Sequence, residues 1–143
     1  MGDGTLNING GRTSARNIWV AELADSTGNV VQDGGRLEFV DMTLGGQGTT
    51  PGGTAGMMIT GGVAIGVEPQ ASDNSVLRVL TDGMLTLDGG TLEVGMLELA
   101  DPANFAWQSG TLDLDQVVVI QPGELLGGDV SIGDPLDFQL VHA

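Results

Sequence analysis

The sequence predicts an all-β protein: one domain over residues 1–143, built as a β-solenoid (β-helix) of about six short coils with Gly-rich corners and protruding loops. Three observations lead there. Apolar residues alternate with polar ones in short runs, as at Leu85, Leu87, Leu92 and Val94, which is the two-residue period of a strand. Glycine recurs at Gly11, Gly35, Gly62, Gly90, Gly110 and Gly128, at intervals of 24, 27, 28, 20 and 18 residues. The runs around these glycines are near-copies of one another: GTLNINGG, MMITGGVAIGV, GMLTLDGGTLEV and FAWQSGTLDL. In a sandwich, successive strands face different neighbours and need not be alike. In a solenoid each coil stacks on a copy of itself about 4.8 Å away, so like residues fall into like columns. Glycine belongs at the corners, where the backbone needs positive φ or leaves no room for Cβ.

Along the chain, Leu6 and Ile8 enter the first glycine doublet as a strand. Ile18 to Asp25, IWVAELAD, fits either a short helix or a strand with Ile18 and Val20 inward and Trp19 outward. Asp25 to Asn29 reads as a turn, and Leu37 and Phe39 leave the next doublet pointing inward. Gly45 to Gly56, GGQGTTPGGTAG, is low in complexity and reads as a protruding loop outside the core. Glu68 to Ser75, Asp101 to Asn104 and Gln121 to Glu124 combine Pro, Asn, Asp and Gly as turns do. Between them Leu85, Leu87, Leu92, Val94, Phe105, Trp107, Leu112 and Leu114 complete the expected core. Helices are poorly supported elsewhere, since no long segment keeps an apolar stripe of period 3.6.

Composition narrows the function. The chain has 143 residues, four arginines, no lysine and 19 acidic residues, for a net charge of −15. Neutralising phosphates takes clustered cations, so nucleic acid and anionic membranes are excluded as partners. No run approaches the ~20 apolar residues of a membrane-spanning helix, so no membrane insertion is expected. With 41% hydrophobic residues the chain folds rather than remaining a solvated coil. Without cysteine there is no thiol nucleophile, disulfide or cysteine-bound metal.

Three stretches carry a family resemblance: GNVVQDGGRLEFV (Gly28 to Val40), GMLTLDGGTLEV (Gly83 to Val94) and FAWQSGTLDL (Phe105 to Leu114). They resemble the Gly-rich repeats of bacterial secreted and cell-surface β-solenoids, both the autotransporter-passenger type and those of exported proteins with a C-terminal sorting signal. The likeness runs from about Gly4 to Gly133, leaving out Thr43 to Gly56. It implies an extracellular or cell-surface scaffold, stalk, adhesin or matrix component, cut from a longer repeat protein. The expected partners are other solenoid segments, or the chain itself end to end, with glycans or surface proteins as further candidates.

No catalytic or cofactor-binding residue is expected. His142 is the only histidine and lies next to the C-terminus, where it is expected to hang in solvent, which removes triad and histidine–zinc chemistry. Paired carboxylates could serve a polysaccharide hydrolase, with Asp113 and Asp115 or Glu93 and Asp113 as the pairs. Lyases, however, need a cation near the substrate carboxylate, and sugar clefts favour exposed aromatic rings, so a carbohydrate-active or carbohydrate-binding module is the alternative reading. Calcium is the one metal considered, with Glu93 and Asp113 as its candidate ligands. GGDVSIGD (Gly127 to Asp134) is only a fragment of a calcium-binding nonapeptide repeat, and a solvated acidic face is the simpler reading. Counting three residues on from Gly35, Gly90 and Gly110 puts Glu38, Glu93 and Asp113 in one outward column, with Ala64 expected at the level between if that coil is offset by one residue.

Overall fold

A computed structural model describes residues 2–67, 75–119 and 138–142. It is all-β, a parallel solenoid of about four turns. The first turn holds β1 (Asp3–Ile8), β2 (Arg12–Ser14) and β3 (Asn17–Val20). The second holds β4 (Thr27–Phe39), bent across two faces, and β5 (Asp41–Leu44). A small antiparallel hairpin follows, β6 (Gly46–Gln47) with β7 (Thr50–Pro51). The third turn is β8 (Thr54–Gly66) and β9 (Val76–Val79), and the fourth is the single long β10 (Gly83–Leu99). After a 3-10 turn at Pro102–Asn104 come β11 (Phe105–Val119) and β12 (Phe138–His142).

Pairing sorts these strands into three faces. On the first, β1 pairs with the start of β4, and that in turn with β8, β10 and β11. On the second, β2 pairs with Arg36–Glu38 of β4, which continue onto later segments of β8, β10 and β11. The third stacks β3, β5, β9 and the end of β10. The registers between successive turns make the columns. Leu37, Ala64, Leu92 and Leu112 stack inward and are essentially buried, as are Met42, Leu77 and Leu97 on the third face. Burial on this scale drives folding, at roughly 25 cal/mol per Å² of apolar surface removed from water.

The corner between the first and second faces is a ladder of glycines. Gly11, Gly35, Gly62, Gly90 and Gly110 have φ of 69°, 70°, 74°, 69° and 101°, where a side chain is strained. The rungs also close on one another there: a Cβ on Gly62 would sit 2.6 Å from the carbonyl carbon of Gly34 and 2.7 Å from its oxygen. Bending each rung interrupts the ladder, and Gln32 repairs it once. Fully buried in a column with Ile8, Ile59 and Leu87, its Nε2 donates to the carbonyl of Val63 at 3.0 Å.

Several expectations need correction. Leu6 is not core: it points inward, but the first turn has no rung beneath it, and 42% of the residue is exposed. Of the two readings of Ile18 to Asp25 the strand holds, with Val20 buried and Ile18 packed against the core, but only to the end of β3 at Val20, beyond which Ala21 (φ 57°) and Asp25 (φ 64°) turn the chain. The segment Gly45 to Gly56 protrudes only at its hairpin tip. Gly45 donates its N–H to the carbonyl of Val20 and Gly53 donates to Ala21, while Thr54 to Gly56 already belong to β8 and Ala55 is buried. Glycines without Cβ let this backbone lie directly on the Ala21–Ser26 corner. His142 does not hang free along its backbone, which forms the end of β12 opposite Gly110. The turn expected at Glu68 to Ser75 lies outside the described residues except for Ser75, and Gly128, Gln121 to Glu124 and Gly127 to Asp134 lie outside them entirely.

Candidate functional site

Three surface features carry side chains with chemistry. The first is the outward column of the second face. Glu38 pairs with Ile65, Ile65 with Glu93, and Glu93 with Asp113. The intervening residue is therefore Ile65, not Ala64: β8 keeps the common register, and Ala64 falls in the inward column between Leu37 and Leu92. Ile65 separates Glu38 from the other two acids. Glu38 itself is outward in phase yet only 6% exposed, because two arginines cover it. Arg12 reaches it from the turn below at 2.6 Å and Arg36 from two residues earlier at 2.7 Å. The hydrogen bond from Arg12, and then that from Arg36, hold the Glu38 carboxyl below the usual carboxylate range.

A carboxylate whose folded-state pKa is lowered stabilises the fold above its unfolded pKa, and that contribution fades as pH falls through the folded value. Replacing Glu38 by Gln is expected to lower the melting temperature at pH 7. The gap between parent and variant should close as the pH is taken below about 4.5, the model-compound region. Melting curves of both proteins across that range check it, and a gap that stays constant with pH would refute the charge pairing.

Glu93 and Asp113 do lie opposite one another on adjacent rungs, at the roughly 4.8 Å spacing of paired strands. Asp115 follows Asp113 two residues later on the same strand. Calcium takes six to eight oxygens, and among the described residues no three acidic or histidine side chains gather as a metal cluster. The pair supplies at most four of those oxygens, two from each carboxylate, and both residues are half-buried.

The second feature lies on the third face. Arg78 bonds Asp41 at 2.7 Å and pairs with Glu98 at 3.6 Å, tying three successive turns together. Three of the four arginines are paired with acids, Arg12 and Arg78 across neighbouring rungs and Arg36 within its own strand, leaving no cationic patch on these faces.

The third feature is apolar. Outside the first face, Asn29, Val31, Gly56, Met58, Met84 and Thr86 line a shallow groove of about 380 Å³. Met58 and Met84 are 46% and 38% exposed. At the open end of the first turn, Leu6, Ile18, Val20, Ala21, Leu23 and Val30 line a larger hollow of about 650 Å³, with Trp19 at its rim.

Fold and surface together define a parallel β-solenoid with an acidic, arginine-clasped exterior. No protein-family model, curated protein or solved structure matches the chain.

Proposed function

We propose that the chain is a non-enzymatic structural or adhesive β-solenoid segment, working outside the cell or on its surface as a scaffold, stalk or matrix component. On this reading it is kin to the Gly-rich repeats of autotransporter passengers and exported sorting-signal proteins, and its full length forms about six coils with glycine at the corners. It joins other solenoid segments end to end. The observation that supports this most is how the chain is used: nearly every described segment is a rung stacked in register on its neighbours, and Arg12 and Arg78 clasp neighbouring rungs together. Such a body resists extension and presents long flat faces, which is what a spacer or adhesive surface requires.

The groove beside Asn29, Met58 and Met84 favours one second reading, a carbohydrate-binding or carbohydrate-active module, since outer faces of solenoids can hold extended polymers. A glycan array paired with a reducing-sugar assay separates the two. The structural or adhesive role expects either no binding or binding without turnover. Release of reducing ends from a polysaccharide would overturn it in favour of an enzyme.

A further inference from the structure

A glycine inside a strand weakens it, and commonly marks a place where a ligand or another backbone comes close. The corner glycines answer to positive φ and to the backbone closing on them. Gly56, within β8, answers to neither. Its φ is not positive, and a Cβ there would meet only the side-chain amide of Asn29, 2.8 Å from Oδ1, which can rotate away. What the missing side chain leaves is the 380 Å³ groove on the outside of the first face.

Two outward columns cross this groove on the second, third and fourth turns. One holds Asn29, Gly56 and Met84, the other Val31, Met58 and Thr86, and neither carries a charge. On the other two faces the outward columns hold Glu38 with Glu93, and Arg78 with Glu98. Acids return at both margins of the groove. Asp82 is exposed in the turn before β10, while Asp33 and Asp88 are exposed at the far side, next to the glycine corner. Asp88 accepts a hydrogen bond from Ser109 at 3.1 Å, and among the described residues no arginine pairs with any of the three. Asp82 and Asp88 are six residues apart, about 20 Å along an extended rung.

Resting on the adhesive side of the reading above, we propose that this groove docks an extended segment of a partner protein, apolar in its middle and basic at both ends. Face-to-face packing keeps a strand within about 30° of the sheet it lies on, so the segment runs along the rungs. Its side chains on the facing side then repeat every second residue, as Met84 and Thr86 do. Two apolar ones settle over Gly56, between Met58 and Met84, and basic ones six residues apart reach Asp82 at one margin and Asp33 and Asp88 at the other. A second copy of this chain fits badly, because its matching face sets acid against acid on molecules that each carry −15. A neutral glycan would find three short hydrogen-bonding side chains, Thr5, Asn29 and Thr86, and no aromatic ring among the residues lining the groove.

Calorimetry with the peptide Lys-Thr-Leu-Thr-Leu-Thr-Lys, blocked at both ends, tests the site on the whole chain. Binding is expected to weaken as salt is added. It should be roughly tenfold tighter than for Lys-Lys-Thr-Leu-Thr-Leu-Thr, or for the first peptide with glutamate in place of lysine. Gly56→Leu fills the groove and should weaken binding by roughly tenfold or more, while the protein melts no lower than the parent because glycine weakens a strand interior. Replacing Asp33 and Asp88 together by Asn should weaken binding and flatten its salt dependence. Undiminished binding by Gly56→Leu would overturn the proposal, as would equal affinity for the two lysine arrangements. Cellohexaose bound by the parent and lost in Gly56→Leu, with no peptide bound, would give the groove to a glycan instead. Silence from every probe would overturn the docking site and leave the scaffold role standing, since that role falls only to release of reducing ends.

Discussion

Leu92→Asp is expected to unfold the protein at ordinary temperature, while Thr91→Asp, one residue away, leaves it folded. Leu92 is fully buried, stacked between Ala64 of the turn below and Leu112 of the turn above. An aspartate there loses the apolar contacts of the leucine, about 2–5 kcal/mol for truncation alone. It also leaves a carboxyl group with no partner in an apolar column, adding about 1–3 kcal/mol even if it takes up a proton. Their sum reaches a large share of the 5–15 kcal/mol that stabilises a typical domain. Thr91 points the other way, half-buried on the outside, in the column of Val63 and Thr111, so its replacement should cost within about 1 kcal/mol. Circular dichroism melts of the two variants decide it. Equal shifts would mean that the strand register is wrong.

The second large effect belongs to the glycine corner. Gly62→Val is expected to cost on the order of 3 kcal/mol, from two sources that add. The residue sits at φ 74°, where a β-branched side chain is strained by about 1–3 kcal/mol. Its Cβ would also press on backbone atoms of Gly34 and of Gly35 in the preceding rung, and those atoms cannot swing aside as a side-chain tip can. Overpacking against them adds about 1–3 kcal/mol. Gly48→Val is the matched control, because Gly48 also has positive φ (57°) but open space around it. It should lose only the strain part. If the two variants denature at the same urea concentration, close approach of the rungs is not what holds glycine at the corner.

How much of this could be read from the sequence depends on which feature repeats. The inward columns were legible, because Leu85, Leu87, Leu92 and Leu112 alternate strictly and recur at matching distances from a glycine. Leu6 has the same local pattern and yet is exposed; what buries a rung is the next rung, and a period says nothing about the end of a stack. The level between Glu38 and Glu93 is Ile65 rather than Ala64, because β8 carries no offset: counting three residues on from Gly62 lands on Ile65. The Arg12–Glu38–Arg36 cluster does have a signal in the sequence: Arg12 and Arg36 are separated by the same 24 residues as Gly11 and Gly35, hence share a column. Gln32 could not be foreseen as a core residue, because a buried amide is tolerated only where a corner exposes carbonyls for it to bond, and corner geometry is not written in a two-residue period. The acidic pair Glu93 and Asp113 was legible as a pair, but what lies around it depends on outward side chains from several turns at once.

Because the strands run across the long axis, their hydrogen bonds point along it, and a tether attached at the two ends loads them one rung at a time rather than all together. A turn of about 24 residues occupies roughly 4.8 Å of the folded rod but reaches about 80 Å when drawn out. Pulled in a flow or between two surfaces, such a body lengthens in discrete steps, each absorbing work as one rung peels away while those behind it hold. The salt bridges of Arg78 to Asp41 and Glu98 cross the second, third and fourth turns, and that of Arg12 to Glu38 joins the first turn to the second, so peeling at each of these joints has an ion pair to break.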